Sequence, residues 1–334
     1  MPRISPPFSF AVFFLALLFL VPLVGLNAYY LYICSITLIY IILTVGLNIV
    51  MGFAGQLVLA NAAIFGIGAY GVGLLEKHFG LPYWLSLPAG AIAATLIGLI
   101  LVLPALRLSG IYLALATLSF AQCALWVMIH WTPVTFGAGG FTIDPPDFSA
   151  FGLSSEVGMF YLAWALCAAM ILVARNVIQS RIGRTFVALR DHEISAQSLG
   201  IDVLKYKALA FGISSFYAGI AGALFAGTLH FIGPESFDLQ QMILQLVAVV
   251  LGGVASLAGS IIGGVLIVLV LEISKDLKFS IEIIFGALLL LIVLFAPGGI
   301  AERLRRVFPS WKEKLHVDDE GLSPPIAVKA EATL

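Results

Sequence analysis

Between Ile4 and Leu75 this chain contains no Asp, Glu, Lys, Arg or His. The same holds for 79–106, 108–129, 157–174 and 208–229. Segments of that length, with nothing for water to solvate, need an apolar solvent, and a helix crosses the hydrocarbon of a bilayer in about 20 residues. Only 10% of the residues are charged and 61% are apolar, with a mean hydropathy of +1.09. Soluble domains carry about 25% charged residues. The expected fold is therefore all-α, a polytopic bundle of transmembrane helices.

Candidate spans are 8–26, 31–51, 60–75, 84–105, 109–130, 158–174, 208–229, 239–255, 258–273 and 280–297, about ten crossings at this length scale. The first follows Arg3, is longer than a signal-peptide core and has no small-x-small cleavage site behind it, so it is expected to be retained. Segment 60–75 is short and Gly-rich. From Leu239 to Leu271 no ionisable side chain occurs, a run too long for one upright helix at about 1.5 Å per residue. Gly252, Gly253, Gly259, Gly263 and Gly264 divide it into two crossings, or one crossing and a re-entrant piece.

Charge supplies the orientation. With these spans alternating and the N-terminus inside, every Lys and Arg except Lys77, Lys275 and Lys278 falls on the cytoplasmic side. Both termini are then cytoplasmic. Residues 1–300 form the transmembrane domain and 301–334 an extension. In that extension Leu304, Val307, Phe308, Trp311 and Leu315 share one helical face, as in a helix lying in the membrane interface, with Pro309 able to split it. Residues 316–334 lack periodicity and read as a disordered tail. Loop 132–157 falls outside and carries Asp144, Asp147 and Glu156 without a cation. Gly137, Gly139, Gly140 and Pro145-Pro146 argue against a regular helix there. It is either a binding or gating surface or a solvated connector.

One polar stretch stands apart. Residues 175–207 hold Arg175, Arg181, Arg184, Arg190, Lys205 and Lys207 against Asp191, Glu193 and Asp202, in sequence that still reads as helical. Apolar runs flank it on both sides, which marks a structured cytoplasmic loop.

Several function classes drop out. The net charge of −1 gives no field for nucleic acid. Cys34, Cys123 and Cys167 are scattered through apolar segments without metal-ligand spacing, and no cofactor site is expected. There is no Gly-Lys dipeptide, hence no phosphate-binding loop for ATP. No intramembrane carboxylate pair or catalytic constellation is present, which disfavours an enzyme. A proton- or sodium-driven carrier usually buries Asp, Glu or His in its spans, and here the interior offers only amides and hydroxyls.

Asn48, Gln56, Asn61, Thr117, Ser119, Gln122 and Gln245 are those interior polar groups. Gln56 and Asn61 lie among Gly46, Gly52, Gly55, Gly66, Gly68, Gly71 and Gly73. Glycine costs about 1 kcal/mol in a helix interior, so the cluster implies close packing, a broken helix, or both. These amides either line a translocation path or serve as polar glue between helices. In 208–229, Ala218, Gly222 and Ala226 form one i, i+4 row and Gly219, Ala223 and Gly227 the adjoining one, spacings that let helix backbones approach closely in lipid.

Two segments, GLNIVMGFAGQLVLANAAIFGIGAYGVGLL at Gly46–Leu75 and SRIGRTFVALRDHEISAQSLGIDVLKYKALAFGISSFYAGIAGALFAGTLHFIGPESF at Ser180–Phe237, resemble the LivM-type permease subunits of branched-chain amino acid ABC transporters. LGGVASLAGSIIGG and the closing FAPGGI continue the resemblance, which covers about Leu31 to Ile300. It implies import of leucine, isoleucine and valine, or of a related small solute such as urea or an amide. The partners it implies are a homologous second permease, two cytoplasmic ATP-binding subunits and a periplasmic substrate-binding protein. It further implies that Arg190, Asp191, His192 and Glu193 through Ala196 to Gly200 dock on the ATPase, although Ile194-Ser195 stands where the general importer motif has an alanine pair. The expected local structure is one helix from near Thr185, ended by Gly200, with Ile201 and Leu204 packed back on the bundle. A stand-alone channel or ion-coupled carrier for a small polar solute is the competing reading.

Overall fold

The computed structural model describes residues 27–108, 110–149 and 152–277, with residues 286, 299 and 300 besides. The expected spans 8–26 and 280–297, the interfacial helix and the tail lie outside these residues.

Each of the other expected spans is a helix: α1 Ala28–Asn48, α2 Asn61–Phe79, α3 Tyr83–Val102, α4 Ile111–His130, α5 Ser155–Gln179, α8 Val203–Leu229, α9 Leu239–Gly252 and α10 Leu257–Leu277. Between α5 and α8 run two short helices, α6 Arg181–Asp191 and α7 Glu193–Ser198. Among the described residues six helices are long and apolar enough to cross a membrane. α9, with 14 residues, is too short to span about 30 Å of hydrocarbon.

α1 is the axis of the bundle. Leu38 to Leu47 are almost completely buried, and 89% of its most apolar window is covered by protein. α10 runs back along it, with Gly264 packed on the backbone of Ile41. At their shared ends the Tyr29 hydroxyl donates to the Glu272 carboxylate, and Thr44 Oγ1 reaches the Ser260 carbonyl at 2.9 Å. α8 wedges between α2 and α3 on its small residues. A β-carbon added at Gly222 would fall 2.0 Å from the Phe65 carbonyl oxygen, and one at Gly219 would fall 2.9 Å from that of Ala91. These close approaches bring dispersion and packing where lipid offers no hydrophobic drive.

The long apolar run breaks at residues 253–256, between α9 and α10, where Gly253 has φ 127° and Ala255 has φ 57°. The glycine cluster after α1 does both things glycine can do there. The last turn of α1 widens into a π-helix, Ile49–Phe53, and residues 54–60 leave the helix altogether before α2 begins. Across the bundle, loop 132–154 holds one helical turn at Thr132–Thr135 and a strand, β1 Phe141–Thr142. β1 pairs antiparallel with β2, Phe231–Ile232, with Phe141 opposite Ile232. This ribbon fastens the loop to the end of α8.

Candidate functional site

The polar segment is narrower and more bent than its sequence implies. α5 continues to Gln179, taking Arg175 into a helix, and α8 starts at Val203. The connecting residues begin with a tight corner. Ser180 Oγ accepts from the Ile182 amide at 3.1 Å, and Gly183 lies so near Ile178 that a β-carbon would sit 2.0 Å from its carbonyl oxygen. Phe186 and Leu189 are buried, pinning α6 to the bundle.

The expected single helix from Thr185 to Gly200 is not what forms. The chain leaves the helix at His192 (φ −151°, ψ 91°) and restarts at Glu193, so α6 and α7 are separate. Gly200 still ends the second piece. At φ +81° its amide bonds the Gln197 carbonyl at 3.0 Å, and the Ile201 amide bonds the Ala196 carbonyl at 3.2 Å, the paired closure of a glycine-ended helix. Ala196 is buried beneath α7, whereas Ile194 and Leu199 are 84% and 82% exposed. Leu204, expected to pack back, is exposed as well, while Ile201 is half-buried.

Both ends of this segment hold the bundle. Arg190 donates through Nη1 to the Gly52 carbonyl at 3.1 Å and through Nε to Asp191 at 3.0 Å. Glu193 accepts from Lys207 Nζ at 2.7 Å, and Lys207 is itself buried at the start of α8. Lys207 belongs to the site although its sequence position gave only a member of a charge run. A lysine in the opening turns of a long apolar helix, 14 residues after a carboxylate, is the signal that could have found it.

The interior amides divide into three settings. Asn48 is saturated: its Nδ2 reaches the carbonyls of Gly253 and Ser256 and Ser260 Oγ, and its Oδ1 takes the Ala255 amide at 2.9 Å. It ties α1 to the break before α10. Asn61 Nδ2 donates to Gln245 Oε1 at 2.9 Å, and Ser214 Oγ approaches Asn61 Oδ1 at 3.5 Å, which leaves Gln245 Nε2 buried without a partner among the described residues. Gln56 Nε2 reaches the Lys207 carbonyl at 3.4 Å while its Oε1 has no partner among the described residues. Thr117 is fully buried and accepts from the Leu59 amide at 3.0 Å. Gln122 is set apart from all of these, exposed on the outer face of α4 with Tyr112, Leu115, Ser119 and Trp126.

The expected packing residues cluster on α8. Gly222 faces Phe65 and Ala69 of α2, whereas Gly219 faces Ala91 and Gly227 faces Tyr83 of α3. Ala218, Ala223 and Ala226 are buried beside them. On the face of the bundle opposite the polar segment, a cavity of about 150 Å³ is lined by Tyr32, Ser35, Glu156, Thr228 and His230. His230 closes α8 in the left-handed region, and its Nδ1 is buried without a partner among the described residues. Burial holds its imidazole below the ordinary value, with Glu156 pulling the other way.

A bundle of apolar helices with a polar segment strapped to one end and amides in its interior defines a multi-pass membrane protein of the transport-subunit class. The chain belongs to the family described as branched-chain amino acid transport system / permease component, whose model matches residues 29–296. It is 33% identical over 297 residues to the high-affinity branched-chain amino acid transport system permease protein LivM of Escherichia coli K12, covering 82% of this chain and 70% of that protein. A probable branched-chain amino acid transport permease protein LivM of Methanocaldococcus jannaschii is 24% identical, over 83% of this chain and 94% of that one. The autoinducer 2 import system permease protein LsrC of Escherichia coli O157:H7 is 28% identical, over 75% and 74%. Among solved structures, PsaBC from Streptococcus pneumoniae in complex with Fab superposes with a TM-score of 0.48 at 14% identity, over 86% of this chain and 98% of that one. The chain is thus the permease subunit of an ABC transporter, a transport subunit and not an enzyme, working with ATPase and binding-protein partners.

Proposed function

We propose that this permease carries a branched-chain amino acid, or a small solute of like chemistry, inward through the membrane. It would do so with a homologous second permease, two ATP-binding subunits and a substrate-binding protein. The observation that carries the reading is the segment 180–202, whose α7 offers exposed Ile194 and Leu199 beside Asp191 and Glu193 while Ala196 and Lys207 anchor it from beneath. Apolar side chains exposed at that level on a charged platform are costly in a lone chain and useful against a partner. The charges fix register and the apolar pair supplies affinity.

On this reading the 180–202 face is cytoplasmic, as are both termini, and the complete chain crosses the membrane about ten times, α9 completing its crossing with the largely buried non-helical residues that flank it. Residues 1–300 are the transmembrane domain. The interior amides Gln56, Asn61 and Gln245, the Thr117 hydroxyl, and Gln122 on α4, border the path, while Asn48 keeps the α9–α10 break in shape. Hydrogen bonds from amides suit a zwitterionic solute, because they solvate charge without adding a fixed charge that would trap it.

The test is uptake by vesicles containing the purified complex, with the ATPase carrying a disabled phosphate-binding lysine. Accumulation of leucine against a gradient should vanish in that complex. Undiminished accumulation, or transport by this chain reconstituted alone, would refute the proposal.

A further inference from the structure

Among the described residues, the hydrogen bonds that Arg190 and Lys207 make toward the interior amides run through residues 52–61, the π-turn and the non-helical stretch after α1. At one end Arg190 Nη1 holds the Gly52 carbonyl, and the Lys207 carbonyl takes Gln56 Nε2 while its ammonium holds Glu193. At the other end the Leu59 amide donates to Thr117 Oγ1 on α4, and Asn61 donates to Gln245 on α9. We propose that residues 52–61, from the π-turn that ends α1 through the unwound residues 54–60 to the first residue of α2, are the transmission strip of the permease, through which displacement of Arg190 and Lys207 reaches Thr117 and Gln245. The proposal rests on the reading of 180–202 as the face that meets the ATPase.

The local structure suits a part that moves. The last turn of α1 has exchanged its ordinary ladder for wider bonds, Ala54 to Ile49 at 3.1 Å and Gln56 to Val50 at 3.0 Å, so little regular helix must be broken to shift it. Gly55 has φ +68° and lies directly against Arg190, where a β-carbon would come within 2.6 Å of Cγ. Only glycine lets the strip and the arginine ride in contact. Beside them a cavity of about 140 Å³, lined by Gly55, Gln56, Leu57, Leu113, Arg190 and Lys207 among others, leaves room for displacement. Gln56 Oε1, buried with no donor among the described residues, is what an element with two positions leaves behind in one of them.

The experiment uses the complete complex in vesicles and reads solute taken up per ATP hydrolysed, with co-purification of the ATPase as the check on assembly. Glu193→Lys and Lys207→Glu should each lower that ratio about fivefold or more, and the double swap should return it to within about twofold of the parent. A purely structural pair would not change the ratio. Singles that keep the parent ratio, or a swap no better than the singles, would overturn the proposal. A second measurement follows Leu57→Cys, which lines the cavity, by maleimide alkylation in a Cys123→Ser background. Its rate should differ about fivefold between the nucleotide-free and the ATP-vanadate-held complex, and Arg190→Ala should abolish the difference. Equal rates in the two states would overturn the strip alone, whereas parental uptake indifferent to ATP would overturn the underlying reading and the strip with it.

Discussion

Gly222 and Phe65 meet backbone to backbone: α8 comes so near α2 that a β-carbon on Gly222 would lie 2.0 Å from the Phe65 carbonyl oxygen. No rotamer change relieves a clash with a carbonyl oxygen, so the helices themselves would have to part. Gly222→Leu should destabilise the protein by about 3 kcal/mol or more, read as a fall in thermal midpoint or loss of folded material. Gly139→Ala, in open space on the loop, serves as the control and should be silent.

Asn48 holds the break before α10 through four bonds, one of them to the amide of Ala255, which sits at φ 57°. Interhelical hydrogen bonds in lipid average about 0.6 kcal/mol each, and a buried polar group left alone costs about 1–3 kcal/mol. Asn48→Ala should therefore cost on the order of 3 kcal/mol in thermal or denaturant unfolding. Ala255→Gly should move stability the other way by about 1 kcal/mol, by relieving the left-handed backbone.

Gln122 is exposed on α4. A glutamine in contact with lipid tails leaves its amide unsatisfied, whereas one beside the path is wet. With Cys123, also exposed, first replaced by Ser, Gln122→Cys should react with a water-soluble thiol reagent. Uptake should fall as it reacts, and solute should slow the reaction. Inertness to the reagent would place this face of α4 against lipid.

His230 should make the protein sensitive to acid. Its imidazole is held below the ordinary value chiefly by burial, so the folded state resists the proton that the unfolded chain accepts. The associated stability is complete above the pKa of a free imidazole and is lost as pH falls towards the folded value. The thermal midpoint should therefore drop between about pH 7.5 and about pH 5.5, and drop less in His230→Gln.

The helices were readable because lipid imposes one rule, long apolar segments without charge, and positions such as Leu38 to Leu47 obey it without exception. Glycine clustering also spoke clearly, since a break near Gln56 and another near Gly253 were expected where residues 54–60 and 253–256 leave the helix. Local chemistry was less legible. Nothing in the residues His192 and Glu193 announces a kink; α6 is seated on the bundle by Phe186 and Leu189 and α7 begins at the Glu193–Lys207 ion pair, contacts made outside the local sequence. The β1–β2 ribbon escaped notice because two residues on each side are too short for any alternation to show. Gln245 and Asn61 were picked out as polar, but their mutual bond depends on α2 and α9 being neighbours, which no local pattern encodes.

The unequal embedding of the helices carries a mechanical consequence. Among the described residues protein covers 89% of the apolar window of α1 but 22% of that of α4, so sideways travel of α4 uncovers little protein surface, while α1 is held on nearly every side. Stiffness in this subunit is therefore graded from centre to rim, and whatever yields under load will yield at the rim first.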